Sequence, residues 1–121
     1  MRSKIKNKFG VIEIENEVIA RLAGHAAMEC YGVVGMAARN MRDGFVHLLR
    51  IESLTKGIKV RTQNDGDLYI DMHIIVDYGT NITAIAQTLM ENVKYKIEEA
   101  VGLTVCEVNV YIQSVRFIGQ S

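Results

Sequence analysis

Between Leu68 and Val76 every second residue is apolar: Leu68, Ile70, Met72, Ile74 and Val76. A strand sends successive side chains to opposite faces, so this run buries one side of a sheet and leaves Tyr69, Asp71 and His73 on the other. A fold built on such a strand needs cover on one side only. The same alternation returns near the end of the chain, where Cys106, Val108, Val110 and Ile112 interleave with Glu107, Asn109, Tyr111 and Gln113. It returns again over Ile58 to Thr62, with Lys59 and Arg61 on the wet side, and Asn64-Asp65-Gly66-Asp67 separates that run from Leu68. Asp-Gly between alternating runs is a strong hairpin signal, because the turn needs backbone angles that both residues tolerate.

The cover comes from two helical patterns. Ile82, Ile85, Ala86, Leu89, Val93, Ile97, Ala100 and Val101 fill one helical stripe, and Gly102 stands where a helix stops. Val18, Ile19, Leu22, Ala23, Ala26 and Ala27 recur at three and four residues after Asn16, a plausible N-cap, and give a helix ending near Cys30. A short β-prone run, Phe9 to Ile14, precedes it. The predicted order is strand, helix, linker, hairpin, helix, strand: an α+β two-layer sandwich of βαββαβ type, with a four-stranded mixed sheet and both helices on one face. The linker from Tyr31 to Gly44 is rich in glycine, with a hint of helix at Phe45, Leu48, Leu49 and Glu52.

At 121 residues and 49% hydrophobic, the chain has material for one core and no second one. We expect a flexible basic arm over 1–8, a single domain over 9–117 and a short tail over 118–121. Fourteen basic residues balance fourteen acidic ones, which excludes a polyelectrolyte binder of the histone kind. The balance is segmented. Four basic residues in 1–8 give +4, six basic against two acidic in 39–61 give +4, one against four in 10–38 gives −3, and three against eight from Asp65 onward gives −5. Such alternation favours association between copies. Cys30 and Cys106 are far apart with no secretory stretch, so reduced thiols in a cytosolic setting are expected. The apolar runs fall short of the roughly 20 residues that a membrane span needs, so no transmembrane segment is predicted.

Catalytic chemistry finds little to work with. His25, His47 and His73 have no partner at zinc-motif spacing, and no metal or cofactor is expected. Cys106 lies with the core stripe, and Cys30 sits at a helix end beside Glu29, the wrong neighbour for an activated thiol. Asp65, Asp67, Asp71 and Asp77 follow no calcium-loop spacing. The wet sheet face is more interesting. Lys59, Arg61, Tyr69, His73 and Tyr111 would suit phosphate contact and base stacking, which makes an RNA-binding module the alternative function. Against it, the aromatic RNA-binding signature run is missing, and Asp71, Asp77 and Glu107 set negative charge in the phosphate path.

Four stretches carry a resemblance: Gly24-His-Ala-Ala-Met-Glu-Cys-Tyr-Gly-Val-Val-Gly-Met36, Lys56-Gly-Ile-Lys-Val-Arg61, His73-Ile-Ile-Val-Asp-Tyr-Gly-Thr-Asn-Ile82 and Val108-Asn-Val-Tyr-Ile-Gln113. In this order, from about Phe9 to Phe117, they resemble the alkaline shock protein family of Gram-positive bacteria, in its short YloU-type branch. The resemblance implies a non-enzymatic envelope-stress-response protein, cytoplasmic or peripheral at the inner face of the cell membrane, forming homo-oligomers. It also implies a membrane-anchor protein or a fatty-acid-kinase-like neighbour as partners. No catalytic residue is carried over with it. The chain departs from longer members in lacking their charged C-terminal extension. Candidate partner contacts are Tyr31, Gly32, Gly35 and Met36 in one loop and Tyr78 and Gly79 in another, since each places an aromatic beside glycine where strands and helices meet.

Overall fold

The computed structural model describes residues 2–38 and 51–116. Its elements are β1 (Arg2–Asn7), β2 (Gly10–Glu15), α1 (Asn16–Met28), β3 (Val33–Met36), a 3-10 helix (Ile51–Gly57), β4 (Ile58–Gln63), β5 (Asp67–Asp77), α2 (Ile82–Val101) and β6 (Val105–Arg116). The α+β sandwich is present: both helices and the face of β5 formed by Leu68, Ile70, Met72, Ile74 and Val76 meet in one apolar cluster. From α2 it takes Ile85, Leu89, Val93 and Ile97, one residue per helical turn. From α1 it takes Ile19 and the small residues Ala20, Ala23, Ala26 and Ala27.

β5 is the axis of the four-stranded sheet. β4 runs antiparallel to it over Asp67–Met72, β3 antiparallel over Ile74–Val76, and β6 parallel over Leu68–Asp77. A strand has two hydrogen-bonding edges, so β3 and β4 share one of them end to end and β6 occupies the other. The sheet is therefore only three strands wide. Where β3 and β4 meet, Ala37 N donates to His73 O at 3.0 Å. Gly57 lies so close that a Cβ there would stand 2.5 Å from the Ala37 carbonyl oxygen. A side chain would force the two strand ends apart, so glycine is required by the close approach.

The structure departs from the sequence-based expectations in several places. Arg2–Asn7, expected as an arm, is a strand. It pairs antiparallel with β2, and the two form a separate hairpin. Phe9 to Ile14 therefore contributes no strand to the main sheet. The fourth strand there is β3, out of the glycine-rich linker. The expected turns of helix at Phe45, Leu48 and Leu49, the residue His47 and the tail 118–121 lie outside the described residues, whereas Glu52 falls in the 3-10 helix.

Asn16 does not cap α1. Its amide donates to Val60 O at 3.1 Å and its oxygen accepts from the Thr62 hydroxyl at 3.0 Å, tying the helix start to β4. Val18 and Leu22 turn outward. In the β4–β5 turn, positive φ falls on Asn64 and Asp65, with Gly66 N donating to Gln63 O at 3.1 Å. Cys106 is exposed, not in the core, because the β5–β6 register shifts between Leu68 and Tyr69 and Val105 takes the buried position. One extra residue flips the face of a strand. The helix stop at Gly102 is as expected, in the left-handed region.

Candidate functional site

Two of the expected contact loops come together. Asp77 N donates to Gly32 O at 2.9 Å, joining the turn after α1 to the end of β5. Gly32 has φ 88°, and a Cβ there would lie 2.3 Å from Ile85 Cδ1. Both the positive φ and the approach of α2 exclude a side chain. Thr80 Oγ1 donates to Asp77 O at 2.7 Å, and the Asn81 side chain accepts from Ala84 N at 3.0 Å to cap α2. The result is a groove of about 320 Å³ lined by Tyr31, Gly79, Thr80, Asn81, Ala84, Ile85 and Thr88. Tyr31 is 85% exposed on its rim. No charged side chain lines it among the described residues, so it offers hydroxyls, one amide and an apolar floor.

The remaining expected contacts do not belong there. Met36 is fully buried in the core, and Gly35 is buried and paired with Ile75 of β5. Tyr78 is 59% exposed, with its N–H donating to Arg116 O at 2.8 Å. The groove residues Thr80, Asn81, Ala84 and Thr88 escaped sequence reasoning. Only Asn81, a good capping type just before a periodic stripe, left a readable signal.

The face of the sheet away from the helices holds an interlocked ladder. His73 and Tyr111 stack with ring centroids 5.0 Å apart, and Gln113 Nε2 lies 3.2 Å from His73 Nδ1. Arg61 pairs with Asp71 at 3.3 Å and sits 5.4 Å from the Tyr69 ring. Asn109 donates to the same Asp71 oxygen at 2.9 Å. The sequence placed Lys59, Arg61, Tyr69, His73 and Tyr111 on one face, and the register agrees. Yet the Arg61 charge is engaged by Asp71, and the stacked partner of Tyr111 is His73 instead of a base. The Tyr69 phenol is held above its ordinary pKa, chiefly by the neighbouring Cys106 thiol.

Among the described residues no group of three His, Cys, Asp or Glu is placed to hold a metal. The groups with displaced pKa values are surface ion pairs. Glu13 is lowered by Arg2 and Glu29 by Lys96, and Glu98 is lowered by the Val105 N–H and then by Lys94. None of them lines the groove. No helix of the structure is long and apolar enough to cross a membrane.

Fold and surface thus define a two-layer α+β module with one helix-covered sheet face, one polar-aromatic face and a neutral groove at the sheet's end. The chain belongs to the alkaline shock protein family, described as having a cell envelope-related function, whose pattern it matches over residues 4–117. It is 45% identical to the uncharacterized protein YloU of Bacillus subtilis, over 96% of this chain and 97% of that one. It is 38% identical, over the full length of both, to the uncharacterized protein Spy1614 of Streptococcus pyogenes. Among solved structures it is similar in fold to the MamM CTD in a D249N zinc form and in a copper form. The TM-scores are 0.52 and 0.51 at 19% identity, covering 88% and 87% of this chain and 91% and 90% of those chains.

Proposed function

We propose that this chain is a non-catalytic, cell envelope-related protein that works through protein contacts, and that the partner in its groove is a second copy of the chain. The observation that carries this reading is the convergence of the Tyr31 turn and the Gly79–Asn81 turn on one neutral groove, fixed by the Asp77–Gly32 bond. A rigid groove with a nearly free aromatic on its rim suits an anchor-and-pocket contact, in which large aromatics contribute most of the affinity. Self-pairing is favoured by the charge layout, since a chain of zero net charge with alternating blocks presents complementary patches to its own copies. Membership of an envelope-related family fits a protein that acts by assembly.

Light scattering over a range of concentrations tests this. The wild-type chain is expected to form concentration-dependent oligomers. Tyr31→Ala is expected to weaken them about tenfold or more, as a lost aromatic anchor does, with no change in melting temperature, because Tyr31 is exposed. A monomer at every concentration, or oligomers untouched by Tyr31→Ala, would overturn the reading.

A further inference from the structure

The β1–β2 hairpin changes character along its length. Its base is fastened to the body: Ser3 is buried with its hydroxyl 3.2 Å from that of Thr62, and Lys4 N donates to Asp65 O at 2.9 Å. Its base is also neutral, because Arg2 pairs with Glu13 at 2.9 Å and Glu15 at 3.3 Å, and Lys4 with Glu13 at 3.7 Å. Beyond Lys4 the balance fails. Residues 6–12 hold Lys6 and Lys8 and no acid. The same stretch exposes three large apolar side chains, with Phe9 88% accessible, Val11 54% and Ile12 50%. Lys8 Nζ stands 5.2 Å from the centre of the Phe9 ring, so cation and ring act as one unit.

A water-facing turn gains nothing from a bare phenylalanine flanked by two exposed aliphatics, and clustered exposed apolar groups mark an interaction surface. We propose that this hairpin tip inserts into the interface of an anionic lipid bilayer, with Phe9, Val11 and Ile12 below the phosphate plane and Lys6 and Lys8 at it. The chemistry matches on both counts. A bilayer interface offers apolar depth to the ring and negative potential to the ammonium groups, and lysine stems reach from the apolar region to the headgroups. The backbone also tolerates entry. Asn7 and Gly10 pair across the ladder, and Phe9 N donates to Asn7 Oδ1 at 2.8 Å. Nucleic acid would use the lysines but offers nothing to Val11 and Ile12. The tip shares no residue with the Tyr31–Gly79 groove, so the inference stands apart from the self-association proposed above.

The test is co-sedimentation of the full chain with vesicles. It should pellet with phosphatidylglycerol and phosphatidylcholine mixed in about equal parts, far less with phosphatidylcholine alone, and less again in high salt. Replacing Lys6 and Lys8 together by alanine should weaken binding on the order of twentyfold, at about fivefold per lysine near an anionic surface. Melting temperature should not move, because neither lysine makes a bond to the body. The chain contains no tryptophan, so Phe9→Trp supplies a single reporter whose emission should shift to the blue on mixed vesicles. Equal pelleting of the wild-type chain with both vesicle types, no pelleting, or an unshifted tryptophan overturns the proposal. So does a Phe9→Ala variant that dissociates oligomers in light scattering while vesicle binding stays intact, since the tip would then be a contact between copies.

Discussion

The molecule contains two antiparallel hairpins with very different fates. In β4–β5 the alternating residues Leu68, Ile70, Met72, Ile74 and Val76 are fully buried under two helices. In β1–β2 the cross-strand pair Ile5 and Ile12 has no such cover, and only Ser3 and part of Ile14 reach the body. Both ribbons satisfy their ladders, but a two-stranded ribbon alone is marginal in water, and burial is what stabilises the first one. The comparison teaches that the same period-two pattern makes a core when helices lie over it and an exposed, surface-active element when they do not.

The contrast breaks most visibly in the core. Ile70→Ala or Leu89→Ala removes a fully buried side chain from the centre of the cluster and should cost about 2–5 kcal/mol, read from urea denaturation midpoints. Val11→Ala, on the exposed hairpin, should change the same midpoint by less than about 0.5 kcal/mol. Equal losses would mean that the hairpin is as deeply integrated as the sheet.

A middle-sized effect is expected at the seam between β3 and β4. Gly57→Ala pushes a methyl group against the Ala37 carbonyl and should cost about 1–3 kcal/mol. Amide exchange should then quicken in β3 before the rest of β5, because β3 holds only the last part of that edge. At the base of the first hairpin, Ser3→Ala leaves the Thr62 hydroxyl without its Ser3 partner and should cost about 1 kcal/mol. Exchange should accelerate over β1 and β2, with little change in α2, if the hairpin opens as its own unit.

The smallest effect concerns acid. Glu98 accepts from Val105 N and from Lys94 Nζ, both at 3.0 Å, and clips the end of α2 to the start of β6. Its carboxyl is held below the ordinary glutamate range, first by the Val105 N–H and then by Lys94. A carboxylate with a lowered folded-state pKa stabilises above its unfolded pKa, and that contribution fades as pH falls through the folded-state value. Glu98→Gln should therefore be less stable than wild type near neutrality, and the gap between their urea midpoints should close in acid. A gap that persists there would show that the clip works by shape instead of charge. The two acids near the negative end of this helix looked mildly unfavourable from sequence, and the β6 backbone is what converts Glu98 into an anchor.

Much of this arrangement was legible in the residues. The α2 stripe, the stop at Gly102, the β4–β5 hairpin and the inward face of β5 all rest on periodicity and turn chemistry within a few residues. β3 was not legible, because Val33-Val-Gly-Met36 is short and contains glycine. It becomes a strand only because β4 leaves the second half of the β5 edge vacant. Cys106 was misplaced because the register shift belongs to the pair of strands and not to either alone. At the groove, Tyr31 and Gly79 were singled out for their type, but their meeting depends on a bond between segments more than forty residues apart in sequence.

The sequence by itself determined the one-sided sheet, the two covering helices and the alternation of charge, since each follows from side chains spaced at fixed local periods. Only the tertiary structure decided that the basic start of the chain pairs with Gly10–Glu15 as a separate hairpin, that two short strands share one edge of β5, and that two distant turns enclose a groove. The reason is physical: local periodicity fixes which face of an element is apolar. Which elements become neighbours depends on edges, glycine-sized gaps and backbone bonds that exist only after the chain has folded.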